Sequence, residues 1–251
     1  MKYLPSGQFL KGAALAYDEL LADFLWIKAV LYFGEHYQTD KDYRWLYHLL
    51  DIVTTLDPNF QFPYEFGGVA LGFWIKDVDH SIKILKKGMI NVPKTHKRYW
   101  TIPYFLGFNY MYYKKDSLAA ARFLEEAAKY HGHSSNIPRL VSRLYVNAKD
   151  PEIAISFLNE ILRSTKDKTV RKDLEKRIKE VIVERDIQKL EQARDLFKKK
   201  TGFYPGKLED LVTSGFMKEI PHEPFGGKYI IKEDASIFSS LVPKRMKVYI
   251  K

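Results

Sequence analysis

The sequence predicts a mainly α-helical protein: an α-solenoid of about four helical hairpins, a long helix, and a small C-terminal α+β unit with a short hairpin. Three observations lead to this fold class. A short pattern built around a small residue occurs four times, a long stretch without Pro or Gly follows it, and turn residues with β-rich segments come after residue 200. Regular repetition of a short helical unit is typical of stacked repeats that bury one continuous core.

Composition sets limits before any element is considered. The chain has 251 residues, is 46% hydrophobic and contains no cysteine. It is too apolar to be disordered and long enough for a sizeable core. The lack of cysteine excludes disulfides, thiolate metal sites and cysteine nucleophiles. No run of about 18 uncharged apolar residues is present, so we expect no transmembrane segment in this chain.

Basic residues outnumber acidic ones by 41 to 31, which gives a formal net charge of +10. The excess of positive charge is spread along the chain: residues 1–150 carry a net charge of +4, and residues 151–251 carry a net charge of +6. The one dense run, Lys198–Lys200, falls at the end of a predicted helix, where lysines favour the negative end of the helix dipole. A solvated basic surface is the preferred interpretation. Nucleic-acid binding through the basic C-terminal half is the alternative.

Residues 1–25 precede the repeats. An apolar stripe at helical spacing runs from Leu15 to Leu25 and predicts a capping helix over the end of the first repeat.

Residues 26–165 contain the four copies of the pattern. Each copy has one small residue; in order these are Gly34, Gly68, Gly107 and Ser142, which are 34, 39 and 35 positions apart. A second apolar helical segment follows each copy, and Pro58 and Pro93 end two of these segments. The small residue predicts a close approach between the two helices of each hairpin, because no bulky side chain separates the backbones.

This segment resembles the tetratricopeptide repeat, a helix–turn–helix unit of about 34 residues. The third copy matches its signature at five positions: Leu106, Gly107, Tyr110, Ala119 and Phe123. The Trp position of the signature holds Val30, Tyr64, Pro103 or Pro138 instead. An irregular helical bundle is the alternative interpretation.

The resemblance implies that the first helix of each unit lines a concave groove that binds a peptide or helix of a protein partner. Carried over position by position, the groove residues are Lys28, Leu31, Glu35, Gln38, Phe62, Glu65, Val69, Gly72, Thr101, Tyr104, Phe108, Met111, Asn136, Arg139, Arg143 and Val146. Tyr104, Phe108 and Met111 serve equally well as core residues. Arg139 and Arg143 lie one turn apart, so both can face an acidic segment of a partner.

Residues 166–200 predict one long amphipathic helix, or two with a break near Glu184–Asp186. The stretch from Lys168 to Lys200 has no Pro or Gly, and its apolar residues recur mostly at steps of three, four and five. They are Leu174, Ile178, Val181, Ile182, Ile187, Leu190, Ala193 and Leu196.

Residues 201–251 have a different composition. A turn at Thr201–Pro205 is followed by a short helix around Leu208 and Leu211. Two segments, Lys228–Ile231 and Met246–Ile250, have the composition of strands and are expected to pair as a hairpin.

Residues 190–232 resemble the C-terminal part of type II secretion major pseudopilins. The matching residues are Thr201, Gly202, Tyr204, Pro205, Leu208, Leu211, Pro221, Pro224, Phe225 and Gly226. Glu223 stands where that family usually has Asp, and the hydrophobic pilin helix is absent. A calcium site is not expected here, because the nearby carboxylates are spread over different elements.

No catalytic motif is present: the chain has no phosphate-binding loop and no nucleophile elbow. His131 and His133 could form half of a metal site, but no third ligand accompanies them. We therefore expect no cofactor and no metal. The sequence predicts a non-enzymatic scaffold or adaptor, and the two resemblances together imply a role in assembling a bacterial envelope structure such as a pilus or secretion system.

Overall fold

A computed structural model describes residues 4–246, and within this range the chain is mainly helical. Its elements, in chain order, are α1 (Gly7–Ala13), α2 (Asp18–Gln38), α3 (Leu46–Leu56), α4 (Gln61–Val69, continued by a π-helical turn, Ala70–Ile75), α5 (Val78–Asn91), α6 (Thr101–Tyr112), α7 (Ser117–Ala128), α8 (Ile137–Asn147), α9 (Pro151–Ser164), α10 (Lys168–Thr201), α11 (Glu209–Thr213), β1 (Tyr229–Ile231) and β2 (Ile237–Ser239).

The chain forms two compact units, Met1–Ile137 and Pro138–Lys251. The predicted repeat segment 26–165 is divided between them. In the region predicted as a capping helix, α1 is a short helix and α2 already begins at Asp18. No helix of the described residues is long and apolar enough to cross a membrane.

In the first unit, helices that follow one another in the chain pack together: α2 packs on α3, α4 on α5, and α6 on α7. Its main core contains large buried side chains such as Leu50, Tyr64, Leu85 and Leu106. Consecutive helices joined by short loops pack together in this way because each must bury one apolar face.

Two of the pattern glycines lie where helices touch. A Cβ added at Gly68 would lie 2.6 Å from Leu85, and one at Gly107 would lie 2.5 Å from Leu124. The close approach predicted for these glycines is present. At Gly34 the prediction is wrong, because the residue is exposed and has no contacting atom within 4 Å.

The second unit is organised by α10, which runs without a break through Glu184–Asp186. At its start, the Asp167 carboxylate accepts hydrogen bonds from the backbone N–H groups of Thr169 and Val170 at 2.7 and 3.1 Å. At its end, Gly202 adopts a left-handed conformation with φ of 88°. Both are common ways of satisfying backbone groups at helix ends.

The C-terminal half of α10 forms the core of the small α+β unit. Its side chains pack with residues of α11 and the hairpin: Val183, Ile187, Leu190, Ala193, Phe197, Leu208, Leu211, Tyr229 and Ile237. Leu196, predicted on the apolar face, is 57% exposed, whereas its neighbour Phe197 is buried.

β1 pairs with β2 in antiparallel register, with Ile230 opposite Phe238. The observed hairpin partner of β1 is Ile237–Ser239, a segment that the sequence does not predict as a strand. Apart from Met246, the predicted strand Met246–Ile250 lies outside the described residues. The loop before β1 is held by Glu223, whose buried carboxylate accepts hydrogen bonds from Phe225 N, Gly227 N and Ser239 Oγ at 2.7–3.0 Å.

Candidate partner-binding surfaces

The predicted groove residues of α2 are all on the surface. Lys28, Leu31, Glu35 and Gln38 are exposed, while the opposite side of the helix, including Ala22 and Ala29, is fully buried. The helix therefore offers these four side chains to solvent.

Glu65 of α4 is partly buried and already engaged. It accepts hydrogen bonds from Arg98 Nε at 3.1 Å, from Gln61 Nε2 at 2.8 Å and from Thr101 Oγ1 at 3.1 Å. Burial raises the pKa of the Glu65 carboxyl, but the hydrogen bonds from Arg98, Gln61 and Thr101 lower it more, so its net pKa lies below the ordinary value. This carboxylate links α4 to the start of α6 and has little capacity left for a partner.

The groove positions of α6 have different environments. Tyr104 and Phe108 are half-buried, and Met111 is 2% exposed. Met111 is thus a core residue with almost no surface for a partner. An aromatic row continues instead through Tyr112, with centroid distances of 4.7 Å from Tyr104 to Phe108 and 5.6 Å from Phe108 to Tyr112. The row follows steps of four residues, which keep side chains on one helix face.

Arg139 and Arg143 lie on α8, in the second unit. Together with α10 and the segment Val242–Met246 they line a pocket of about 230 Å³. Its charged lining residues are Arg139, Arg143, Arg177, Lys244, Arg245, Glu180 and Glu184, and its apolar ones are Val183, Ile187, Val242 and Met246. Five basic side chains against two carboxylates leave a formal charge of +3.

Arg177 is the most buried of these cations. Its Nε donates to Ser142 Oγ at 2.9 Å, and its Nη1 donates to Glu180 at 2.8 Å. Burial lowers the pKa of the Arg177 guanidinium; Glu180 raises it, and the charges of Arg143 and Arg139 lower it, so that the net pKa is below its ordinary value. Arg139 and Arg143 therefore add positive charge beside Arg177, and the single carboxylate of Glu180 offsets only part of it.

Arg245 closes the opposite side of the pocket. Its guanidinium binds Glu184 at 2.6 Å and Glu191 at 2.8 Å, and Met246 N donates to Glu184 at 3.1 Å. Burial lowers the pKa of Arg245, but the hydrogen bonds to Glu184 and Glu191 raise it above its ordinary value. Glu184 is thus committed to Arg245, and Glu180 to Arg177.

Arg139, Arg143 and Lys244 carry the charge that remains. Within residues 4–246, none of these three side chains forms an ion pair. The guanidinium groups of two arginines one helical turn apart, beside a lysine, favour carboxylates or phosphates.

The sequence indicated only part of this pocket. Arg139 and Arg143 were predicted as partner-binding residues, but Arg177, Lys244 and Arg245 were not. Arg177 lies in a helix of mostly solvated charges, and its spacing of three from Leu174 and of four to Val181, both buried, indicates that it faces inward. Arg245 lies 61 residues from Glu184 in the chain, and no local pattern joins them.

No protein-family model, curated protein or solved structure matches the chain.

Proposed function

We propose that this protein is a non-enzymatic scaffold that captures an acidic segment of a protein partner in the pocket formed by Arg139, Arg143 and Lys244. The observation that carries the proposal is the unbalanced charge of that pocket: its other two cations are paired with carboxylates, and these three are not. Arg139 and Lys244 are exposed and Arg143 is partly buried, so all three are accessible to the carboxylates of a partner, which they attract at close range.

The pocket favours a peptide over a nucleic acid. Its lining also includes the apolar side chains of Val183, Ile187, Val242 and Met246, which suits a segment with both acidic and apolar side chains. A nucleic acid is bound by an extended basic stripe that contacts many phosphates. In this pocket only Arg139, Arg143 and Lys244 lack a carboxylate partner within residues 4–246, which is too few cations for such a stripe.

The role of the scaffold follows from the two resemblances. The helix pairs of the first unit support a tetratricopeptide-like array, whose exposed faces bind proteins. The similarity of residues 190–232 to pseudopilins is the reason for proposing assembly of a bacterial envelope structure, such as a pilus, secretion system or extracellular filament.

The test is binding of a fluorescein-labelled hexaglutamate peptide, measured by fluorescence anisotropy at low salt. We expect the double variant Arg139→Gln/Arg143→Gln to bind at least about tenfold more weakly, because each charge-assisted contact contributes about 1.5 kcal/mol or more and tenfold corresponds to 1.4 kcal/mol. The matched control is Lys172→Gln/Lys176→Gln, which removes the same charge at the same spacing from the exposed face of α10. Equal loss in the control would show a non-specific charge effect and contradict the pocket.

A single-stranded oligonucleotide of matched charge is the second probe. The proposal predicts that Arg139→Gln/Arg143→Gln affects the peptide more than the oligonucleotide. If the oligonucleotide binds more tightly than the peptide and is lost in the same variant, the alternative of nucleic-acid binding replaces the proposal.

A further inference from the structure

Helix α2 has a second apolar face that nothing in the described chain covers. Leu20, Phe24, Ile27 and Leu31 are 52%, 63%, 55% and 67% exposed, although all four are large and apolar. They lie opposite the buried residues of the same helix, and we call them the α2 stripe. Contiguous exposed apolar patches on soluble proteins usually mark interaction sites.

The spacing within the α2 stripe is four, three and four residues. This is the alternation of positions d and a in a heptad repeat, so Leu20 and Ile27 occupy d while Phe24 and Leu31 occupy a. A stripe this narrow fits one straight partner helix rather than a sheet or an irregular loop.

The charges beside the stripe specify the partner. Asp23 occupies position g and Lys28 the following position e, five residues later, so they lie on opposite sides of the stripe and cannot pair within one helix. Both are exposed, and neither forms an ion pair within residues 4–246. In a parallel two-stranded coiled coil, each g residue meets the e residue five positions later on the other helix.

A second copy of α2, parallel and in register, therefore satisfies both charges at once. Asp23 would meet the partner subunit's Lys28, and Lys28 would meet the partner subunit's Asp23. In an antiparallel pair the same sides of the two stripes face each other, which would bring like charges together. We propose that the protein forms a parallel homodimer through the α2 stripe, with these two ion pairs fixing direction and register.

The length of the stripe limits its strength. After Leu31 the next two heptad positions are Gly34, which has open space around it, and the polar Gln38. Four apolar residues per helix make an interface at the small end of the size range, where complexes are reversible. We therefore expect a monomer–dimer equilibrium that depends on concentration.

The test is sedimentation equilibrium of the full chain from low to high micromolar concentration. Asp23→Lys and Lys28→Asp should each weaken dimerisation about tenfold, because each variant places like charges at both g–e contacts and every tenfold change is 1.4 kcal/mol. Mixing the two variants should restore a heterodimer, since both contacts then join opposite charges. Circular dichroism melting of each variant checks that it folds.

A second measurement fixes the orientation. The chain has no cysteine, so Ile27→Cys introduces a single thiol at a d position, where two parallel in-register helices bring identical residues together. Mild oxidation should yield a disulfide-linked dimer, whereas Arg122→Cys, on the exposed face of α7, should not. A monomeric wild-type chain at all concentrations, or a mixture of charge variants that stays monomeric, would overturn the proposal. Neither result affects the acidic-peptide pocket, which lies in the other unit.

Discussion

Charged side chains that are partly or fully buried join separate elements of this protein. Glu65 of α4 accepts hydrogen bonds from Gln61 of the same helix, from Thr101 at the start of α6 and from Arg98, which is also its ion-pair partner. In the second unit, Asp186 is 2% exposed and accepts a hydrogen bond from Tyr229 at 3.0 Å. A buried charge that keeps its hydrogen bonds ties two elements together, and removing one partner leaves the other unpaired.

Glu65 makes the stability of the first unit dependent on pH. The pKa of its carboxyl is below the ordinary value of 4.5, because hydrogen bonds from Arg98, Gln61 and Thr101 outweigh its burial. A lowered pKa stabilises the folded state above pH 4.5, and this stabilisation disappears as pH falls through the folded-state pKa. We expect Glu65→Gln to lower the free energy of unfolding by about 1 kcal/mol at neutral pH. As the pH falls, the variant should lose less stability than the wild type.

Urea unfolding followed at several pH values checks this prediction. The control is Glu35→Gln, which changes an exposed glutamate without an ion pair in the described part of the chain. The same pH dependence in Glu65→Gln and in the wild type would show that the Glu65–Arg98 contact contributes nothing to acid sensitivity.

At the scale of elements, the contact between α6 and α7 depends on a glycine. Gly107 brings α6 against α7, where an added Cβ would lie 2.5 Å from Leu124 Cγ and 3.2 Å from the carbonyl oxygen of Ala120. Neither atom can move away freely, because one is close to its own backbone and the other belongs to a helix. Gly34 belongs to the same pattern in the sequence but faces solvent.

The pair Gly107→Ala and Gly34→Ala tests this difference. Gly107→Ala should lower the free energy of unfolding by about 1–2 kcal/mol through overpacking. Gly34→Ala should raise it by up to about 1 kcal/mol, because alanine favours a helix more than glycine does. Thermal and urea unfolding measure both. Equal stabilisation by the two substitutions would contradict the close approach of α6 and α7.

At the scale of the whole molecule, the two proposed surfaces lie in different units: the α2 stripe in the first and the cationic pocket in the second. If both act, a dimer carries two pockets and gains affinity for a partner with two acidic segments, since the second contact becomes intramolecular.

This bivalency can be measured with two synthetic probes. One contains a single hexaglutamate segment, and the other contains two joined by a long flexible Gly/Ser linker. Above its dimerisation concentration the wild type should bind the double probe about tenfold or more tightly than the single probe. The variant Lys28→Asp, in which dimerisation is weakened, should bind the single and the double probe with similar affinity per hexaglutamate segment. A wild type with no preference would contradict a dimer that presents two pockets to one partner.

Local pattern determined much of the fold. The helical character and the glycine contacts at Gly68 and Gly107 follow from spacing, propensity and side-chain size within a few residues. The sequence left open whether α10 is one helix or two, and the structure shows one helix. The local pattern did not predict which apolar side chain is buried where burial depends on residues far away in the chain. Leu196 and Phe197 are adjacent and both apolar, and only packing against α11 and the hairpin selects Phe197 for the core.

The candidate site shows the same division. The sequence by itself determined that Arg139 and Arg143 share one helix face and that thiol chemistry is absent. It placed Leu20 and Phe24 on the packed stripe of a capping helix, and in the structure both are exposed. Only the tertiary structure decided that Met111 is core, that the α2 stripe is exposed, and that Arg177, Lys244 and Arg245 join Arg139 and Arg143. The physical reason is that a helix fixes directions over one or two turns, whereas a pocket depends on residues such as Glu184 and Arg245, which are 61 positions apart in the chain and meet only when the core has formed.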